Sequence, residues 1–219
     1  MSEKSYKYIL FDLDGTLTDS GPGIMNGFEY AIKQMGDEVG DRSTFRRFIG
    51  PPLLYSFETL LGYSHEDAER AVVYYRDYYF NMGGVLENSV YPGIKELLSD
   101  LKAAGKKLIV ATSKLDHPTK IVLDHFGLAD FIDFVSATND ADRKSKTDVI
   151  KYALEQCGVA DKSEAIMIGD RFHDIEAAVE VGLDSIGVLW GYGDEEELSG
   201  AGATYIAAST EDVYNIIMK

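Results

Sequence analysis

The sequence places carboxylates, hydroxyls and amino groups where short apolar runs end or the next helix begins. These residues are, in chain order, Asp12, Asp14, Thr112, Ser113, Lys114, Lys146, Asp170 and Asp174. In an open parallel sheet the ligand binds beyond the carboxyl ends of the strands. If the apolar runs are strands of such a sheet, these side chains converge on one site.

Four carboxylates at one site repel one another unless a cation neutralises them. An all-oxygen set of ligands suits Mg²⁺, which takes few carboxylates and keeps several of its waters. A phosphate group that completes the coordination shell would explain the lysine and the hydroxyls, because these groups donate hydrogen bonds to phosphate oxygens. The residue types therefore indicate a magnesium-assisted reaction of a phosphate compound.

Asp12 and Asp14 are separated by one residue, so both side chains can point to the same face of an extended segment. One carboxylate could attack phosphorus in line and form an aspartyl-phosphate. The other could donate a proton to the leaving oxygen and later take one from the hydrolytic water. Gly15 lets the backbone turn tightly, and Thr16 adds a hydroxyl group near the site.

The elements that must position these residues alternate between strands and helices. Strands are predicted over 6–11, 106–112, 165–169 and 184–190, with a weaker candidate over 131–137. Helical periodicity fills the intervals between them. This alternation predicts an α/β fold, a doubly wound parallel sheet covered by helices on both faces.

One interval is too long for this alternation. A complete βαβ unit needs only about 30 residues, and residues 92–104 already supply a crossover helix before the strand at 106. The excess carries helical patterns and no convincing strand. It predicts a small α-helical domain inserted over 19–88, with 1–18 and 89–219 forming the catalytic core.

The composition excludes several classes of protein. The 219 residues include 21 Lys and Arg against 37 Asp and Glu, a formal net charge of −16. Such a surface repels nucleic-acid phosphates and anionic lipids, so neither nucleic acid nor a membrane is an expected partner. The single cysteine, Cys157, cannot form an intrachain disulfide, which suits a reducing compartment. The first apolar run is too short for a signal peptide and no run reaches membrane-spanning length, so we expect a cytoplasmic protein.

Four motifs resemble those of the haloacid dehalogenase-like phosphatase superfamily. They are FDLDGTLTDS, ATSK, Lys146 in RKSKTDVI, and IGDRFHD, which occur in the family's order at predicted strand ends. The GTLTDS continuation and the segment IGPPLLYSF are similar to the phosphoglycolate phosphatase-like branch. The resemblance spans about residues 8–190. It implies a Rossmann-like core and a helical cap that closes over the substrate.

The resemblance implies a role for each of the four aspartates. Asp12 would be the nucleophile and a metal ligand. Asp14 would be the general acid and base, and would bind the metal through its backbone carbonyl. Asp170 would be the remaining carboxylate ligand of Mg²⁺, and Asp174 would orient a metal-bound water or Lys146.

The same resemblance assigns the groups that bind the phosphoryl moiety. Thr112 and Lys146 would contact it, with Ser113 nearby, while Gly15 and Thr16 complete the substrate side of the first motif. Both Lys144 and Lys146 are available for the third motif. We prefer Lys146 because it directly precedes TDVIKYAL and so lies at a helix N-terminus.

The leading hypothesis is a Mg²⁺-dependent phosphatase that hydrolyses a small phosphorylated metabolite through an aspartyl-phosphate. Phosphoglycolate is the first candidate substrate, a nucleoside monophosphate is the next, and pyrophosphate is possible. A phosphosugar mutase of the β-phosphoglucomutase type would pass the phosphoryl group to a second hydroxyl, and the motifs do not exclude it. A phosphate-binding or receiver-type module is the non-enzymatic alternative, although receivers need no large inserted domain.

Two arginines of the inserted domain are candidates for substrate specificity. Arg46 and Arg47 stand just before the sequence GPP and could bind a second anionic group of the substrate. A solvated helix face explains them equally well. The motifs leave open whether the protein is a monomer or a homodimer.

Overall fold

Six parallel strands form one sheet within residues 5–139 and 141–219, the part of the chain that the computed structural model describes. In chain order the strands are β1 (Tyr8–Phe11), β2 (Lys107–Leu115), β3 (Phe134–Thr138), β4 (Ala165–Gly169), β5 (Asp184–Val188) and β6 (Tyr205–Ala207). Their spatial order is β3-β2-β1-β4-β5-β6. The predicted α/β fold with a parallel sheet is confirmed.

In the register of the three middle strands, β1 ends beside Val110 of β2, which continues to Leu115, and one residue before the end of β4. Phe11 at the end of β1 is paired with Val110 of β2 and with Ile168 of β4. The next residue, Asp12, donates its backbone N–H to the carbonyl of Ile168 at 2.9 Å. The residues that follow β1 and β4 and the last residues of β2 therefore lie at the same edge of the sheet.

Nine α-helices occur in the described residues. They are α1 (Gly21–Met35), α2 (Leu53–Tyr55), α3 (His65–Arg76), α4 (Ile94–Ala103), α5 (Asp116–His125), α6 (Lys146–Gln156), α7 (Phe172–Val181), α8 (Glu195–Gly200) and α9 (Thr210–Met218). Helices α2 and α3 continue as π-helical turns over Ser56–Leu60 and Asp77–Asn81. Within the described ranges, no helix has both the length and the apolar character needed to cross a bilayer.

The chain divides into two compact units. One comprises Met1–Thr18 with Val90–Lys219, and the other comprises Asp19–Ser89. The first contains the sheet and α4–α9. Its core includes a cluster in which Leu10, Ile109 and Met167 of the strands pack with residues of α6 and α7. Each fully buried aliphatic side chain of this kind contributes about 1.5–3 kcal/mol.

The second unit is helical and holds the expected range 19–88. Across 19–89, every residue of which is described, no strand occurs. Its core is aromatic: the ring of Phe28 in α1 lies 4.6 Å from the ring of Phe48, 4.8 Å from that of Phe57 and 5.1 Å from that of Tyr75. The unit therefore has a core of its own, and its role as a cap stays a prediction.

The first unit differs from the sequence-based prediction in two places. The third strand begins at Phe134 and not at 131, because Ala129–Phe131 form a 3₁₀ turn. Strand β6 and helix α9 were not predicted, since a three-residue edge strand has too few residues to show a clear alternation.

Helix α6 begins at a capping box. The Ser145 hydroxyl accepts a hydrogen bond from the Asp148 backbone N–H at 3.1 Å, and the Asp148 carboxylate accepts one from the Ser145 N–H at 3.0 Å. Such reciprocal bonds satisfy backbone donors that the first helical turn leaves free. The cap thereby fixes the position of Lys146, the first residue of α6.

We expect Ser145→Ala to lower the free energy of unfolding by about 1 kcal/mol, the usual cost of losing an N-cap hydroxyl. Urea denaturation followed by circular dichroism measures this change. Ser199→Ala is the matched control, because Ser199 is an exposed residue near the end of α8. Equal stability of the two variants would contradict a stabilising role for the cap.

Candidate active site

The carboxyl edge of the sheet collects charged side chains from four elements. Asp12 directly follows β1, and Asp170 directly follows β4. Lys146 is the first residue of α6, and Asp174 lies in the first turn of α7. These four side chains are predicted site residues, and all of them are largely buried.

Lys146 joins two of the carboxylates. Its Nζ atom lies 2.7 Å from Oδ1 of Asp12 and 2.8 Å from Oδ1 of Asp174, and it also donates to the carbonyl of Ala111 at 3.0 Å. The other oxygen of Asp174 accepts the backbone N–H of Arg171 at 3.1 Å, at the start of α7. Lys144, the alternative for the third motif, is exposed. Of the two candidates for the third motif, Lys146 is therefore the buried one.

Asp170 is fully buried and held from two sides. Its Oδ1 accepts the hydroxyl of Thr16 at 3.2 Å, and its Oδ2 accepts the backbone N–H of Tyr192 at 2.8 Å. Asp12, Asp170 and Asp174 each offer one carboxylate oxygen within 4.8 Å of the others. This spacing allows all three groups to serve one metal ion.

Glycines at two positions permit this close approach. Gly15 has φ +89°, and a Cβ atom there would lie 2.2 Å from Oδ2 of Asp170. A Cβ atom at Gly191 would lie 2.3 Å from Cβ of Asp170 and 2.4 Å from the carbonyl oxygen of Gly15. A larger residue at either position would displace Asp170, so the position of Asp170 requires glycine at both places.

Burial without full neutralisation shifts the protonation of these groups. Burial raises the pKa of Asp12 to about 6, although the Lys146 ammonium opposes this shift. Burial and then the carboxylates of Asp174 and Asp12 raise the pKa of Asp170 well above its ordinary value. Burial by itself would lower the pKa of Lys146, but Asp12 and Asp174 raise it, so the lysine stays charged. The cluster carries more negative than positive charge.

Asp14 is not one of the three residues whose carboxylate oxygens lie within 4.8 Å of one another. Its Oδ2 and Oδ1 atoms are 2.9 Å and 3.1 Å from Nζ of Lys114, at the end of β2. The side chain of Asp14 is therefore paired with a lysine of its own. The prediction that Asp14 binds metal through its backbone carbonyl stays a prediction.

The other residues of the first two motifs differ in exposure. Thr112 is buried, and its hydroxyl accepts the backbone N–H of Lys114 at 3.2 Å. The Thr16 hydroxyl is directed at Asp170. Ser113 is exposed, and its carbonyl accepts the hydroxyl of Thr138 at 2.7 Å. Substrate contacts stay predictions for all four of these residues, Thr112, Ser113, Gly15 and Thr16.

Arg46 and Arg47 belong to the other unit. Both lie in the 3₁₀ segment Arg42–Phe48 and both are exposed. The guanidinium of Arg47 donates to the carbonyl of Leu60 at 3.1 Å and lies 5.1 Å from the centre of the Phe48 ring. Their assignment to the substrate site stays a prediction.

Three supporting residues had no role in the motif-based assignment. Lys114 pairs with Asp14, Tyr192 donates its N–H to Asp170, and Trp190 donates its indole N–H to the carbonyl of Thr16 at 3.0 Å. Two signals could have found them. The first signal is charge: four carboxylates beside one assigned lysine require a second cation. The second signal is position: the sequence WGYG begins two residues after β5 ends at Val188.

The chain matches known proteins over most of its length. Residues 9–188 match the family model described as haloacid dehalogenase-like hydrolase. A tyrosine-protein kinase PtkA from Mycobacterium tuberculosis is 37% identical over 212 residues, covering 95% of this chain and 71% of PtkA. A 5'-nucleotidase from Pseudomonas aeruginosa is 38% identical over 204 residues, covering 93% of this chain and 91% of the relative. A crystal structure described as a predicted phosphatase from Clostridium acetobutylicum matches with a TM-score of 0.91 and 44% identity, over 98% of this chain and 99% of that chain.

The chain belongs to the haloacid dehalogenase-like hydrolase family. A phosphoglycolate phosphatase from Vibrio vulnificus is also among its relatives, at 28% identity over 100% of this chain and 99% of the relative. The predicted fold family and the predicted enzyme class, a phosphatase of this family, are confirmed. The non-enzymatic alternative is accordingly set aside.

We expect the charge of Asp170 to lower the stability of the metal-free protein as the pH rises. An aspartate whose folded pKa is raised keeps its proton in the folded state after the unfolded chain has lost it. The folded state then binds more protons, so the free energy of unfolding falls as the pH rises above the ordinary value of 3.8. In EDTA, the stability of Asp170→Asn relative to wild type should therefore increase between pH 5.5 and pH 8.

Urea denaturation at several pH values measures this difference. Asp100→Asn is the matched control, because Asp100 is exposed on α4, and its difference from wild type should stay nearly constant. A constant difference for Asp170→Asn as well would show that Asp170 ionises without a cost in stability.

Proposed function

We propose that this phosphatase is Mg²⁺-dependent and hydrolyses a small phosphomonoester through an aspartyl-phosphate on Asp12. The observation that carries the proposal is the buried cluster in which Lys146 contacts Asp12 and Asp174 while Asp170 lies within 4.8 Å of both. The cluster combines a nucleophile, a cation for phosphoryl oxygens and a set of metal ligands at one edge of the sheet.

The donor set fits a divalent cation. Asp12, Asp170 and Asp174 bring three carboxylates, and Lys146 contributes one positive charge. A buried excess of negative charge is costly, and a divalent ion with oxygen ligands relieves it. When bound, Mg²⁺ neutralises the approach of an anionic substrate to the nucleophile and polarises the phosphoryl oxygens. Asp12 and Asp170 would hold the ion.

The proposed reaction has two steps on the chain's own residues. A carboxylate oxygen of Asp12 attacks phosphorus, the bond from phosphorus to the ester oxygen breaks, and Asp14 donates a proton to that leaving oxygen. Water then attacks the phosphorus of the aspartyl-phosphate, Asp14 takes the proton from the water, and the Asp12 carboxylate is restored. Lys146 and Thr112 would stabilise the charge on the phosphoryl group during both steps.

The acceptor in the second step decides between related activities. Water gives a phosphatase, whereas a substrate hydroxyl gives a mutase and a tyrosine hydroxyl gives a kinase-like transfer. The 37% identity to a protein named tyrosine-protein kinase keeps transfer to a hydroxyl as a second candidate. Release of inorganic phosphate in proportion to substrate consumed supports hydrolysis, and a phosphorylated acceptor without free phosphate supports transfer.

A nucleoside 5'-monophosphate is the substrate class that we favour, with phosphoglycolate next. The relative named 5'-nucleotidase shares 38% identity with the chain, and the relative named phosphoglycolate phosphatase shares 28%. We further propose that the helical unit acts as the cap and that Arg46 and Arg47 recognise a second anionic group of the substrate. A phosphate-release screen over phosphorylated metabolites, repeated with Arg47→Ala, tests these proposals.

We expect Asp12→Asn to lower kcat for p-nitrophenyl phosphate at least about 1000-fold, because an amide oxygen cannot replace the carboxylate nucleophile. Rapid acid quench with ³²P-labelled substrate should trap label on the peptide that contains Asp12 in the wild type and leave the variant unlabelled. Asp100→Asn is the control for a neutralised but distant carboxylate and should keep wild-type activity. Label on another residue, or activity retained in Asp12→Asn, would remove Asp12 from the nucleophilic role.

We expect Mg²⁺ to stabilise the wild-type protein at pH 7.5. At 100 times its dissociation constant, a ligand that binds only the folded state adds about 2.7 kcal/mol, which corresponds to a rise of several degrees in Tm. The gain should shrink as the pH falls through about 6, because Asp12 then takes up a proton that competes with the ion.

Differential scanning fluorimetry with and without EDTA measures the effect of Mg²⁺. Asp170→Asn should lose most of the gain, and Asp100→Asn should keep it. An equal gain in both variants would place the stabilising ion away from this cluster.

A further inference from the structure

A second lysine at this edge of the sheet, Lys114, contacts the side chain of Asp14. Its Nζ atom is 2.9 Å from one carboxylate oxygen and 3.1 Å from the other. The lysine side chain is only 7% exposed and that of Asp14 only 17%. An ion pair this well shielded from water is far less screened than a surface pair.

Two hydrogen bonds anchor the backbone around Lys114. Its own N–H donates to the hydroxyl of Thr112 at 3.2 Å, and the carbonyl of Ser113 accepts the Thr138 hydroxyl at 2.7 Å. The pairing of β2 with β3 shifts its register between Thr112 and Leu115. Such an irregularity redirects side chains at the end of a strand. The lysine thus projects from a constrained segment toward Asp14.

Contact with both oxygens limits how the carboxyl group of Asp14 can turn. An aspartate side chain has a soft terminal torsion, and a cation bound to both of its oxygens restricts that torsion. The contact does not prevent proton exchange, because each carboxylate oxygen has a second lone pair. A proton donor must meet the leaving oxygen within hydrogen-bonding distance, so its orientation matters for the first step.

Lys146 and Lys114 contact different aspartates. Lys146 contacts Asp12 and Asp174, whereas Lys114 contacts Asp14. We propose that Lys114 is a positioning residue that orients the carboxyl group of Asp14 toward the leaving oxygen of the substrate. This inference rests on the proposed function, in which Asp14 is the general acid.

The test is the dependence of the rate on the leaving group. p-Nitrophenolate leaves without needing a proton, whereas phenolate is a stronger base and gains more from one. We expect Lys114→Met to lower kcat/KM for phenyl phosphate about 10- to 100-fold more than for p-nitrophenyl phosphate, a part of the 10²–10⁴-fold typical of general acid catalysis. KM should change little, and Lys114→Arg should recover part of the loss.

Three further variants provide the reference effect and the control. Asp14→Asn should show the same preference for the better leaving group, and the double variant Asp14→Asn with Lys114→Met should show no additional preference. Lys144→Met is the matched control, because Lys144 is exposed, and both substrates should react at wild-type rates. Circular dichroism and Tm identify variants that fail to fold. If Lys114→Met fails to fold, Lys114→Gln is measured with the same two substrates and decides in its place.

The outcomes separate this inference from the proposed function. A selective loss in Lys114→Met that adds nothing to the preference of Asp14→Asn when the two substitutions are combined supports the inference. An equal loss on both substrates, or no loss, overturns it when Asp14→Asn is itself selective. If Asp14→Asn shows no selectivity, the role of Asp14 as general acid is wrong, and the inference is overturned with it.

Discussion

The site depends on the placement of one buried ammonium group between two buried carboxylates. Lys146 contacts both Asp12 and Asp174. Burying any of these three charges without the others would carry a large desolvation penalty. Asp170 adds a third carboxylate that this lysine does not contact closely enough to neutralise. The residual negative charge is a cost to the folded protein and at the same time the source of affinity for a divalent cation.

The rest of the fold keeps these charges at fixed distances. The pairing of Phe11 with Ile168 brings Asp12 and Asp170 to one edge of the sheet, and the Ser145 cap fixes the first turn of the helix that carries Lys146. Asp170 lies so close to Gly15 that a side chain at position 15 would overlap with it. The backbone geometry therefore determines where the charged groups of the site lie.

Much of this arrangement could be predicted from the sequence, because apolar runs followed at once by aspartates mark strand ends in a parallel sheet. Asp12, Asp170, Asp174 and Lys146 come together in the structure as one cluster. The excess of carboxylates predicts a second cation, but the sequence does not identify Lys114 as the partner of Asp14, because the register shift between Thr112 and Leu115 leaves no pattern in the sequence. Strand β6 was missed for a different reason: a segment of three residues is too short to show a recognisable alternation of apolar and polar residues.

Trp190 gives the protein a built-in optical probe. It is the only tryptophan of the chain, and its indole N–H donates to the carbonyl of Thr16, whose hydroxyl in turn donates to Asp170. Indole emission responds to the polarity and hydrogen bonding of its surroundings. Selective excitation of this single tryptophan therefore reports on the environment of Asp170 without any label attached to the molecule.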